Sequence, residues 1–159
     1  MNHPQLEQYS TGHPELLDAL QRIPRSMWHF RPAAGEWTIH EIVVHITDSE
    51  SNSYIRVRAA IAEPGKRIMA YDEPAWARAL CYKQQSAEDA LELFRWLRGN
   101  TYRLLQMLPD STWTHSIDHP ESGQLTLEQY FQINARHVPD HIAQMQSVYE
   151  AWQARGVER

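Results

Sequence analysis

Three helix-start signatures govern what this chain can fold into. Thr38 precedes Glu41, Ser86 precedes Asp89 and Thr126 precedes Gln129, each by three positions. In such pairs the hydroxyl accepts from a free first-turn N–H, and the later side chain reaches back to the cap. Each pair opens a segment with helical apolar spacing. After Thr38, Ile42, His45, Ile46 and Ser49 share a face, and Glu63-Pro64-Gly65 ends the run near Ala62. After Ser86, Leu91, Phe94, Leu97, Leu105 and Leu108 build a broad apolar face as far as Pro109-Asp110, with Gly99-Asn100 as a weak point. After Thr126, Phe131, Val138, Met145 and Trp152 repeat in sevens. A further helix is expected from Pro14, a good first-turn residue, to Ile23, with Pro24 stopping it. The turn-rich stretch that follows lays Trp28 and Phe30 on the core. Residues 63–85 read as a long connection with a short helix near 74–80. Residues 111–125 alternate Thr, Trp and Ile with polar residues around the turn Pro120-Glu-Ser-Gly123, which suits a short hairpin or an extended loop. Long helices joined by unequal loops predict an all-α four-helix bundle with at least one long crossover.

The 159 residues are most simply one domain, 1–159, large enough to bury a core. A net charge of −5 and no basic run interleaved with aromatics give no electrostatic case for nucleic acid. One cysteine, Cys81, excludes an internal disulfide, and its neighbours Leu80 and Tyr82 suggest a buried structural thiol. No signal-like start and no apolar run of membrane-spanning length is visible, so no membrane partner is expected and the cytoplasm is the default location.

Nine histidines are many for this length. His137 and His141, four apart in the last helical segment, leave one face one turn apart and make a ready bidentate metal site. Asn134 and Gln144 extend that row, which a core tolerates only when it binds something and a solvated face tolerates freely. Pro139 removes a backbone donor and should kink the helix there. His115 and His119 repeat the spacing, but in a segment without helical periodicity. Extended residues four apart lie about 13 Å apart, too far to share an ion, so this pair reads as a surface accident. His45 is the candidate third ligand; taken alone it also suits a satisfied core histidine. Glu41 and Asp48 lie four before and three after it on its face. One of them could fix the ligand's tautomer, and the other could act as a general base. Three neutral imidazoles on one ion would leave a coordination position open, as catalytic sites do.

The run Trp28-His-Phe-Arg-Pro-Ala-Ala-Gly-Glu-Trp-Thr-Ile-His-Glu-Ile-Val-Val-His-Ile-Thr-Asp-Ser-Glu50 resembles the opening of the DinB-like (YfiT-like) superfamily. Asp118-His-Pro-Glu-Ser-Gly-Gln-Leu-Thr-Leu-Glu128 and His137-x-x-x-His141-x-x-Gln144 resemble its second half, and together the resemblance covers residues 14–152. It implies an up-down-down-up bundle, usually a homodimer, and a divalent ion, zinc or nickel most often, held by His45, His137 and His141. It also implies chemistry with low-molecular-weight thiols in some members, whereas many others carry only a general assignment as metal-dependent hydrolases. Three functions stand open for a small-molecule substrate. Transfer of a small thiol to an electrophile ranks first, since metal activation supplies most of the nucleophile. Hydrolysis of an amide or ester asks for more: a base (Asp48 or Glu41) and an oxyanion donor, for which Arg56, Tyr130 or Asn134 are candidates. A metal-stabilised binding protein without chemistry is the third. Trp37 and Trp113 are candidates for a pocket mouth.

Overall fold

The computed structural model describes residues 3–157. In chain order it has α1 (Pro4–Gln21), α2 (Ile39–Ala62), α3 (Glu73–Ala79), α4 (Ala87–Gln106), β1 (Ser116–His119), β2 (Gly123–Thr126) and α5 (Leu127–Val157). All three caps form, those at Thr38 and Thr126 as reciprocal boxes and that at Ser86 through its hydroxyl alone. Thr38 Oγ1 accepts from the Glu41 amide at 3.1 Å, and Glu41 Oε2 accepts from the Thr38 amide at 2.9 Å. Ser86 Oγ accepts from the Asp89 amide at 3.1 Å. Thr126 and Gln129 bond reciprocally at 3.2 and 2.9 Å.

The first helix starts ten residues before its expected beginning, and Pro14 lies inside it. An interior proline removes one helical hydrogen bond and costs about 3 kcal/mol in an isolated helix. Here Leu6, Tyr9, Leu16 and Leu20 are all buried on one face, so burial on both sides of Pro14 outweighs that local cost. α5 likewise runs as one helix through Pro139.

Side-chain contacts fix the helix directions. On α2 and α4, Thr47 bonds to Ala90, Glu50 to Arg98, and Arg58 to Asn100 and Thr101, so the two run parallel. On α1 and α5, Gln5 meets Glu128 and Tyr9 packs on Phe131, again parallel. Between the pairs the order reverses: Ser53 meets Tyr130 and Asn134, whereas His45 meets His137 and His141. The bundle is therefore up-down-down-up. Two parallel neighbours in succession need a return path along the bundle, and residues 63–86 provide it.

That crossover first runs beside the hairpin. The Gly65 amide donates to Ser116 at 2.7 Å, the Ile68 amide donates to Asp118 at 3.0 Å, and the Asp118 amide donates to Lys66 at 3.2 Å. β1 and β2 pair antiparallel from Ser116–Thr126 to His119–Gly123, so the second half of the 111–125 segment is a hairpin. The crossover then carries α3, capped by Asp72 Oδ1 on the Ala75 amide at 2.8 Å, across the flank of α2.

The core has two apolar clusters. One gathers Leu16, Ile42, Phe94, Val138 and Met145. The other gathers Leu6, Val57, Leu105, Trp113 and Phe131. Along α1, α2 and α4 a polar network falls between them: the buried ion pair Arg98–Glu50 at 2.8 Å, with the Tyr9 hydroxyl donating to Glu50 and Arg98 Nε donating to the Tyr9 carbonyl. Gly12 makes room for it, because a Cβ there would lie 2.7 Å from the guanidinium.

Two further expectations are corrected. Cys81 is exposed, not buried: it sits in a left-handed turn (φ 53°) between α3 and the next turn, where the chain buries Tyr82 and leaves both Leu80 and the thiol outside. Trp113 lies in the core, stacked with His3 at 4.1 Å, rather than at a pocket mouth. No helix among the described residues is long and apolar enough to cross a membrane.

Candidate metal centre

His45 leaves the inward face of α2, and His137 and His141 leave successive turns of α5 toward it. Because α2 and α5 run antiparallel in contact, residues almost a hundred positions apart meet: the ring centroids of His45 lie 5.4 Å from His137 and 4.8 Å from His141. One ring nitrogen from each of the three falls within 4.8 Å of the other two. His137 Nε2 and His141 Nε2 are 3.1 Å apart. Two ligands about 2.1 Å from a tetrahedral ion would stand roughly 3.4 Å apart, so the spacing suits one ion with little adjustment.

The electrostatics point the same way. His45 is fully buried, and neither of its ring nitrogens has a hydrogen-bond partner. A buried orphan nitrogen is costly unless something binds it. Burial, then the neighbouring His141 and His137, push His45 down to about 2; burial, then His141 and Arg98, push His137 down to about 3. Burial also lowers His141. All three are thus neutral imidazoles at physiological pH, the form that ligates. Gln144 Oε1 lies 2.8 Å from His141 Nδ1, which holds the proton on that nitrogen and leaves the Nε2 lone pair facing its neighbours. Trp37 covers His45 edge-on at 4.5 Å.

Two clefts reach this cluster. A cleft of about 510 Å³ includes Trp37, Glu73, His141 and Gln144 in its wall. Another of about 280 Å³ includes Arg56, Glu73, His119, Tyr130, Asn134 and His137. The four expected pocket residues therefore all line one cleft or the other. Arg56 is anchored by Nε on the Met69 carbonyl at 3.1 Å, and Tyr130 and Asn134 both donate to Ser53 Oγ.

The two carboxylates expected to serve the triad are engaged elsewhere. Glu41 binds Arg31 Nη2 through both oxygens, at 2.7 and 2.8 Å, besides closing its own helix cap. Burial raises its pKa, but the Thr38 amide and Arg31 together outweigh burial and hold the carboxyl below the ordinary range. Asp48 Oδ2 accepts from the buried Tyr82 hydroxyl at 2.6 Å and ties the end of the crossover to α2. Neither lines the clefts at the triad.

Glu73 stands there instead. It is the first residue of α3, half exposed, with Oε2 3.9 Å from His45 Nε2, and it lines both clefts. Burial, followed by repulsion from Glu121, raises its proton affinity. Its only sequence signal is its place one residue after a helix cap, in a segment too irregular for periodicity to give it a direction.

The chain matches the family model described as the DinB superfamily over residues 8–145. A protein of Oceanobacillus iheyensis named "putative metal-dependent hydrolase" is 33% identical over 115 residues, 72% of this chain and 66% of that protein. YfiT of Bacillus subtilis, which carries the same description, is 34% identical over 110 residues, 69% of this chain and 62% of that protein. The matched stretch thus spans just under two thirds of either relative's length. Among solved structures, YfiT of Bacillus subtilis superimposes with a TM-score of 0.85 at 26% identity, over 94% of this chain and 86% of that one. A mycothiol-dependent maleylpyruvate isomerase shares the fold, with a TM-score of 0.69 at 11% identity over 88% of this chain and 58% of that one.

Proposed function

The chain belongs to the DinB superfamily, and on that premise we propose that it is a metal-dependent enzyme whose His45, His137 and His141 hold one divalent ion, zinc or nickel, beside Glu73 as proton acceptor. The observation that carries this reading is the cluster of neutral imidazoles, half-buried at His137 and His141 and fully buried at His45, in which both nitrogens of His45 lack a hydrogen-bond partner. An ion bound there would act as a Lewis acid that lowers the pKa of a ligated water or thiol toward neutrality.

Hydrolysis of an amide or ester is the reaction that the site supports best. It needs a base that can take the nucleophile's proton and return it to the leaving group. Glu73 stands beside the triad, open to both clefts, and its raised proton affinity makes it a stronger acceptor than an ordinary carboxylate. Water adds to the carbonyl carbon, the bond to nitrogen or oxygen breaks, and the proton held by Glu73 goes to the departing amine or alkoxide. Trp37 shields the His45 side of the cluster from bulk water.

Transfer of a low-molecular-weight thiol to an electrophile is the second reading. The mycothiol dependence named for one protein of this fold supports it, and Glu73 would take the thiol's proton in the same way.

Elemental analysis of purified protein should find about one divalent ion per chain, and His137→Ala or His141→Ala should abolish it. Wild-type protein that holds no metal and takes none up on titration would sink the proposal. Glu73→Gln should keep the ion and lower turnover about a hundredfold or more on a panel of esters and amides. Turnover that needs an added thiol would select the second reading.

A further inference from the structure

We infer that His119, which is not a ligand of the triad, donates its Nε2–H to a neutral carbonyl oxygen of the substrate in the cleft that it shares with His137 and Glu73. The inference rests on the preceding reading and narrows it to a substrate class.

The tautomer comes from the backbone. His119 ends β1, and the turn that follows aims two amides at its ring: Glu121 N and Ser122 N each donate to His119 Nδ1 at 3.3 Å. A nitrogen that accepts two N–H groups cannot carry a proton. The neutral ring must therefore hold its hydrogen on Nε2. Burial, then the nearby Arg56, lower the pKa of the ring, so it remains neutral at physiological pH. With Nδ1 tied back to the turn, Nε2–H is left for whatever enters the cleft of about 280 Å³. A donor fixed in place by main-chain bonds costs little to orient when the acceptor arrives.

Charge selects the acceptor. One guanidinium, Arg56, faces three carboxylates in the lining: Glu73, Glu121 and Asp140. A divalent ion would bring that balance to zero, leaving no surplus cation for a second anion. A neutral carbonyl accepts the Nε2–H without needing one, and the bond strengthens if negative charge grows on that oxygen while the proton stays on nitrogen.

Two variants separate the ring's two jobs. His119→Asn places an oxygen near the Nδ1 position, so the turn keeps its acceptor, but it lacks the outer donor. His119→Gln puts an amide nitrogen near the Nε2 position.

The tautomer is read from ¹⁵N spectra of histidine-labelled, metal-free protein, with the His119 signal assigned by its loss in His119→Asn. The Nε2–H pattern is expected at neutral pH; an Nδ1–H ring or an imidazolium would overturn the inference. The second arm uses cobalt-substituted protein with 3-mercaptopropionamide against propanethiol, followed by the sulfur-to-metal absorption band. Wild type should prefer the amide about tenfold, His119→Asn should lose that preference with propanethiol unchanged, and His119→Gln should recover most of it. Equal affinities in wild type, a preference that survives His119→Asn, or tighter binding of 3-mercaptopropionate than of the amide would each overturn it. Failure to load cobalt would strike the metal reading instead, and the tautomer would still decide this one.

Discussion

At the scale of single residues, the spacing of His137 and His141 and the inward place of His45 marked the three as candidates, and the family resemblance joined them into one set. Their helices are strongly periodic, and a periodic helix gives each residue a direction. The carboxylates were not legible in the same way. Glu41 and Asp48 share His45's helix, but Arg31 and Tyr82 capture them, and no spacing within α2 reports those partners. Glu73 was missed for the converse reason, since nothing periodic surrounds it. The triad's environment also gives a pH prediction. The folded pKa values of His45 and His137, about 2 and about 3, lie below the ordinary 6.5, so below that pH the unfolded chain takes up protons that the fold refuses. Stability conferred by the neutral rings is complete above pH 6.5 and is lost as pH falls from there toward the folded values. Each ring can contribute up to about 1.4 kcal/mol per pH unit in that window. Chelator-treated protein should therefore unfold at lower urea at pH 5 than at pH 7, and equal midpoints would contradict the buried, neutral assignment.

At the scale of elements, the helix starts were the most legible features, because a cap is a local exchange of hydrogen bonds between residues three apart. Thr38→Ala should lower stability by about 1 kcal/mol, measured by urea denaturation, since the Glu41 amide loses its side-chain acceptor while the Thr38 backbone bond to Glu41 can remain. The early start of α1 was not legible. A proline at position 14 reads as a beginning, and only the buried face of Leu6 and Tyr9 shows that the helix is already under way. The same helix carries a second constraint. Gly12→Ala should destabilise by about 1–3 kcal/mol, because the new methyl group would meet a guanidinium held by its own ion pair. A calorimetric midpoint unchanged from wild type would show that Arg98 can yield.

At the scale of the whole molecule, the bundle is joined across its middle by charge as well as by apolar packing. Glu50 of α2 and Arg98 of α4 are both nearly inaccessible to water, and Tyr9 of α1 bonds to each. Removing one member leaves the other charged and buried, so Arg98→Met should cost about 3–5 kcal/mol; a paired Glu50→Gln change should return part of it. A double mutant no more stable than the single one would argue against direct coupling. Class and helix count were readable from periodicity and caps, whereas the parallel pairing of α2 with α4 was expected only from the family resemblance, because physically it rests on contacts between distant residues. That pairing has a further consequence. The stretch that must travel back along the bundle is also the one that brings Glu73 beside the three imidazoles, so in the proposed metal site the grip on an ion and the choice of what reaches it would reside on different parts of the polypeptide. Relatives could trade or lengthen that returning segment and acquire new reactions while the anchoring rings stay where they are. An exchange of residues 63–85 between two such proteins should therefore move selectivity and leave ion affinity behind.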